Sequence, residues 1–140
     1  ANKEEAIRYY KMSADKGNAN AMNNYANKLF NGDGISANKE EAIRYYKMSA
    51  DKGNIYAMYN YANKLFNGDG IEINKKEAIK YYKMSADKGY CNAMLRYAQI
   101  LDSGDGTDIN TLEAIKYYKM AADRGNENAI SKLKSIKNTE

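Results

Sequence analysis

Residues 1–18, ANKEEAIRYYKMSADKGN, return letter for letter at 37–54. The following stretch, ANAMNNYANKLFNGDGI at 19–35, returns as IYAMYNYANKLFNGDGI at 55–71. A third, drifted copy runs from Asn74 to Thr107, and a fourth opens at Asn110. The anchors step by 36: Ala6, Ala42, Ala78 and Ala114; Gly17, Gly53, Gly89 and Gly125; Ala21, Ala57, Ala93 and Ala129. A fixed period of this length marks a stacked-repeat architecture. Each unit must bury its apolar face on its neighbours, so the array folds as a cooperative whole.

Each copy reads as two helices. The longer starts at Asn38, an N-cap residue type, with Glu40 and Glu41 in the first turn, where carboxylates offset the helix dipole. Glu40 is expected to pair with Arg44 one turn on. Ala42, Ile43, Tyr45, Tyr46, Ser49 and Ala50 make a wide apolar stripe, and Gly53 after Lys52 supplies a left-handed stop. The shorter helix spans roughly Ile55–Phe66 and ends at Asn67-Gly68-Asp69-Gly70, with Ile71 packing the loop back onto the core. The expectation is eight helices, four long and four short, in chain order and without strands. The absence of proline agrees with helix, and 44% hydrophobic with 29% charged residues places the chain among folded proteins. The predicted organisation is a long helix without its mate at 1–17, full repeats at 18–53, 54–89 and 90–125, and a capping helix at 126–140. A chain that opens inside a repeat is expected to be part of a longer protein.

The pattern Ala57-x3-Tyr61-Ala62-x2-Leu65-x2-Gly68-x-Gly70-Ile71, then Asn74-x3-Ala78-x2-Tyr81-Tyr82-x2-Ser85-Ala86-x2-Gly89, resembles the Sel1-like repeat, a relative of the tetratricopeptide repeat. The resemblance covers nearly the whole chain. It departs from the family in Tyr for the usual Trp of the longer helix, in Tyr61-Ala62 for a Leu-Gly pair, and in lacking the bracing cysteines of some bacterial members. It implies an all-α, right-handed α-solenoid that assembles protein complexes and has no activity of its own.

The copies also indicate where a partner would bind. On a helical wheel, Ala21, Met22, Tyr25, Ala26 and Leu29 form the core side of the second helix, and Asn20, Asn23, Asn24, Asn27 and Asn31 the other. Residues 1–36 and 37–72 differ only at Ala19/Ile55, Asn20/Tyr56, Asn23/Tyr59 and Ser36/Glu72. Two of these lie on the outer side, which in copy three reads Asn92, Leu95, Arg96 and Gln99. Free drift explains Ser36/Glu72. It explains Tyr56, Tyr59 and Leu95 poorly, because drift on a solvated face does not gather large apolar groups. The expected site is a concave groove on the second helices. Asn20, Asn23, Asn24, Asn27, Asn60, Asn63 and Asn92 would offer amide donors and acceptors to an extended peptide, with Gln99 beside them. Tyr56, Tyr59 and Leu95 would form its pockets. Lys28, Lys64 and Arg96 border the face, which carries no acid before Asp102, so a neutral or acidic partner fits. Asn27, Asn60 and Arg96 match part of the carboxylate clamp of some tetratricopeptide domains, but Asn23 and Asn92 stand where lysines are expected.

Other signals point away from chemistry. The Asn-Gly-Asp-Gly loops lack a phosphate loop's Gly-Lys-Ser/Thr ending, and Gly104 stands where a calcium loop among Asp102, Asp105 and Asp108 needs a ligand. Tight turns at positive φ account for them. Without histidine and with Cys91 alone, no ordinary zinc site or thiol–base pair can form. Cys91 replaces Ala19 and Ile55 and is expected to be a buried thiol. Glu4 and Glu5 read as first-turn carboxylates, and the tyrosine pairs 9–10, 45–46, 81–82 and 117–118 as inter-helix packing. The expected protein is therefore not an enzyme and takes no cofactor or metal.

A net charge of +4 does not demand nucleic acid, although Asn and Tyr could read unpaired RNA bases. An RNA-binding array is the alternative, and its affinity would fall steeply with salt. No apolar run approaches membrane-spanning length, and a single cysteine gives no sign of an oxidising compartment, so a cytoplasmic location is expected. The helix at 3–16 repeats the internal one at 39–52, yet lacks a preceding short helix. Its stripe, including Ile7 and Tyr10, is expected to self-associate, whereas Lys132, Lys134 and Lys137 make the other end a polar cap.

Overall fold

The computed structural model describes residues 2–138. Among them are eight helices and no strand: α1 (Asn2–Asp15), α2 (Ala19–Asn31), α3 (Lys39–Asp51), α4 (Ile55–Asn67), α5 (Lys75–Asp87), α6 (Cys91–Ser103), α7 (Thr111–Asp123) and α8 (Glu127–Asn138). The all-α repeat fold and its eight helices stand as expected from the sequence. The division into long and short helices does not: every helix has 12 to 14 residues. The second helix reaches one residue past Phe66 and stops where Gly68 turns left-handed, at φ 70°.

Two compact units cover residues 1–74 and 75–140. In the first, α1 packs on α2, α2 on α3 and α3 on α4; in the second, α5 on α6, α6 on α7 and α7 on α8. The cores are small residues interleaved with tyrosine and methionine. Ala26, Ala42, Ala57 and Ala62 are fully buried in the first unit, and Ala78, Tyr82, Ala93 and Ala98 in the second. All six residues of the α3 stripe are buried. The tyrosine pairs of α3, α5 and α7 are buried as expected, whereas Tyr9 of α1 is 67% exposed.

Asparagine sets the helix starts. Asn18, Asn38, Asn54 and Asn110 each accept from a backbone N–H three residues on, satisfying a donor the helix cannot. Tyr90 precedes α6 without a side-chain cap. Arg44 pairs with Glu41 at 3.3 Å, not with Glu40, because the guanidinium turns to the carboxylate that lies one turn back at i−3.

The loops after α2, α4 and α6 are braced in the same way three times. The backbone N–H of Asn38, Asn74 and Asn110 reaches back to the carbonyls of Leu29, Leu65 and Leu101 at 2.8–3.0 Å. Asp33, Asp69 and Asp105 bond to Lys3, Lys39 and Lys75 at 2.7–2.9 Å. The second glycine of each loop needs positive φ and also space: a Cβ on Gly34 would fall 2.8 Å from Ile7 Cδ1. Asp102 pairs with Lys132 at 3.0 Å. The acidic loops are thus turns tied down by ion pairs. Ile71 is only half-buried, and Ile73 is the residue that lies against Gly68.

Candidate functional site

In the first unit the outer residues of α2 and α4 make two sets. Asn20 and Asn24 are exposed, and Tyr56 is 51% exposed. Tyr59, Asn60, Asn63 and Asn27 are half-buried. Asn23, expected at the surface, is buried. The helical wheel places it outward, but its Oδ1 accepts from Asn60 Nδ2 of the next repeat at 3.1 Å, and that contact covers it.

Several of these amides already serve the fold. Asn54 Nδ2 donates to Asn20 Oδ1 at 2.6 Å while Asn54 Oδ1 caps α4. The Tyr46 hydroxyl donates to Asn27 Oδ1, and burial pushes that phenol's pKa up to about 12. An asparagine has two further donor positions and a second lone pair, so engagement of one atom does not exhaust it. The cations bordering the face are engaged too. Lys28 pairs with Asp33 at 2.9 Å. Lys64 lies 3.7 Å over the Phe30 ring, and its pKa is lowered chiefly by burial.

Asn20 and Tyr56 border a shallow cleft of about 380 Å³ between the starts of α2 and α4, which Asn18, Lys52, Gly53 and Asn54 also line. Lys52 and Gly53 read from the sequence only as a helix stop, because a basic residue and glycine recur there in every copy and give no signal of a binding role. In the second unit, Asn92 and Gln99 are exposed, and Leu95 and Arg96 half-buried, on α6. Asn92 Nδ2 donates to the Tyr90 hydroxyl at 3.0 Å, and the Arg96 guanidinium lies 5.9 Å from the Tyr82 ring. Cys91 is half-exposed rather than buried, and its thiol points to the Ala121 carbonyl at 3.8 Å. The same position in the first unit is Ala19, whose carbonyl accepts from Ser49 Oγ at 2.7 Å. The donor has therefore moved from one helix of the pair to the other.

Ile7 also departs from expectation. It is 6% exposed, seated against the Gly34 loop, so the accessible surface of α1 is Tyr9 and Met12 instead. A charge at Ile7 would disturb the fold rather than only a surface.

Helix pairs recurring every 36 residues, joined by the same braced loop after α2, α4 and α6, define an α-solenoid of helix-turn-helix repeats. The chain belongs to the Sel1 repeat family, whose profile matches residues 1–18, 19–54, 55–90 and 91–126. Among solved structures it is similar to a Sel1 repeat protein from Oxalobacter formigenes, with TM-score 0.86, 27% identity and coverage of 92% of this chain and 97% of that one. It also shares its fold with a protective antigen of uropathogenic Escherichia coli displaying an SLR fold (TM-score 0.84, 24% identity), matching 88% of this chain and 26% of that longer one. A third similar fold is cysteine-rich protein B of Helicobacter pylori, with TM-score 0.72, 19% identity and 91% of each chain covered. No curated protein sequence matches the chain. Sel1-like repeat proteins are generally protein-interaction scaffolds and typically non-catalytic. No helix among the described residues is long and apolar enough to cross a membrane.

Proposed function

We propose that the chain is a non-catalytic scaffold that holds an extended, neutral or acidic protein segment against its second helices. The observation that carries this reading is Tyr56. It replaces Asn20 in an otherwise near-identical copy, stands 51% exposed, and borders a cleft walled by Asn20, Asn54 and Lys52. An aromatic ring beside amides and an ammonium suits a peptide backbone carrying an occasional acid. Asn24, Tyr59, Asn60 and Asn63 extend the surface on the first unit, and Asn92, Leu95, Arg96 and Gln99 offer a corresponding one on the second. Engagement of Lys28 and Lys64 by Asp33 and the Phe30 ring leaves less cationic surface for a phosphate backbone, which disfavours the RNA alternative.

Selection from a random peptide library tests the proposal. The recovered sequences should be neutral to acidic. Tyr56→Ala should weaken them by about 1–2 kcal/mol with the helical circular dichroism spectrum retained. Peptides that bind this variant as tightly as the parent refute the site. Recovered basic sequences, or a steep loss of RNA affinity with salt at the same residues, refute the partner class.

A further inference from the structure

We propose, resting on the reading of the Tyr56 cleft as a partner site, that Lys52 sets what that cleft selects: the carboxylate side chain of one aspartate or glutamate within the bound segment. The cleft between the starts of α2 and α4 is lined by one cation and no acid, with Lys52 beside Asn18, Asn20, Asn54 and Tyr56. The Lys52 ammonium reaches across to the helix stop of the preceding repeat, 3.7 Å from where a Cβ on Gly17 would stand. Its side chain is exposed, and among the described residues it pairs with no carboxylate and donates to no carbonyl. Lys28, by contrast, is paired with Asp33, and Lys64 lies over the Phe30 ring.

Asn20 supplies the second donor. Its Oδ1 accepts from Asn54 Nδ2 at 2.6 Å, which orients the amide and leaves the N–H groups of its own Nδ2 to a ligand. An ammonium and an amide N–H around one cleft match the two oxygens of a carboxylate. Hydrogen bonds to an ionised acceptor are also stronger than neutral ones. A lysine or arginine of the segment would instead meet the Lys52 charge with no acid in the cleft to offset it.

The corresponding place in the second unit is built otherwise. Arg124 stands where Lys52 does, and its guanidinium takes the same pose, 3.4 Å from where a Cβ on Gly89 would stand. It donates to the Gly89 carbonyl, so part of its donor set already serves the fold. Glu127 and Asn128, both exposed, replace Ile55 and Tyr56. An acid of the segment would face the Glu127 carboxylate there, and like charges oppose binding. Acid selection therefore belongs to the first unit.

The test uses three pools of acetylated and amidated peptides that differ only at the central residue, which is glutamate, glutamine or lysine. The other positions vary among uncharged residues, and amidation removes the terminal carboxylate as a source of the charge. Retention on the immobilised full chain is read by mass spectrometry. The glutamate pool should be retained about three- to fivefold more than the glutamine pool, the range that an exposed ion pair supplies, and added salt should narrow the difference. Lys52→Met should bring the two pools level. Lys52→Glu should favour the lysine pool, a reversal that lost packing could not produce. Arg124→Met should leave the glutamate preference as it is, and each variant should keep the helical circular dichroism spectrum. Equal retention of the pools by the parent overturns the subsite, as does a glutamate preference that survives Lys52→Met or disappears with Arg124→Met. In those cases the cleft still stands as a partner site so long as Tyr56→Ala weakens the retained peptides. Retention indifferent to both Tyr56→Ala and Lys52→Met removes the partner site and the subsite together.

Discussion

Asn18 and Asn54 occupy the same place in two nearly identical copies, and their replacement by alanine should cost different amounts. Each caps its helix through Oδ1, accepting from the backbone N–H of Ala21 or Ala57 at 2.9 Å. Losing a cap of this kind costs about 1 kcal/mol. Asn54 is 9% exposed and also donates to Asn20 Oδ1 at 2.6 Å, whereas Asn18 lies at the surface. A neutral hydrogen bond of this sort contributes about 1 kcal/mol net. Asn54→Ala should therefore cost roughly 2 kcal/mol and Asn18→Ala roughly 1 kcal/mol. In a chain of this size each kcal/mol lowers the melting temperature by roughly 2–4 °C. Asn54→Asp keeps an acceptor for the cap but loses the donor, so it should fall between the parent and Asn54→Ala. Urea and thermal unfolding followed by circular dichroism give all three values. Equal losses for Asn18→Ala and Asn54→Ala would refute the view that the amide joins two repeats as well as capping one.

Two further outcomes follow from recurring contacts. Ser49→Ala should destabilise by about 1 kcal/mol, and adding Ala19→Cys should recover part of that loss, because Cys91 and Ala121 already form the reversed pair; strictly additive effects in the double-mutant cycle count against it. Lys3 and Lys28 hold the Asp33 carboxyl down from 3.8 to about 2, chiefly through hydrogen bonds. A depressed folded pKa means the stabilisation is complete above 3.8 and fades as pH falls towards about 2. The melting-temperature gap between the parent and Asp33→Asn should narrow over that window and with added salt; a gap independent of pH contradicts the assignment.

Much of this fold is legible in the sequence because period, caps and stops are local signals. Asn38 is followed three residues on by the N–H it accepts from, and the left-handed glycines sit where the helices end. The stripe from Ala42 to Ala50 needs only helical spacing. The candidate site is less legible, because its polar residues find partners in other repeats. Asn20 meets Asn54, 34 residues on, and Asn23 meets Asn60, 37 residues on. A helical wheel says which residues face away from their own repeat's core. It does not say which of those meet the next repeat. The same limit explains Ile7, which the loop at Gly34, distant in sequence, covers.

Equivalent positions across the copies separate the two variable sites that this reading joins. The place held by Asn20, Tyr56 and Asn92 is exposed in all three copies. Exchange of an amide for a phenol there leaves an aromatic ring half in solvent, the kind of surface a partner would use. The place held by Asn23, Tyr59 and Leu95 is buried in the first copy and half-buried in the others. Its residue is chosen partly by what it packs against, as the bond from Asn60 to Asn23 makes plain. Tyr59→Ala should thus lower stability along with any affinity, and Asn23 is no precedent for a harmless change at that position. Tyr56→Ala changes a residue that is 51% exposed, at a place exposed in every copy, so a loss of binding with the fold retained reports on recognition. The physical case for a partner-binding face rests on Tyr56 first, and Tyr59, half-buried, reports packing and recognition together.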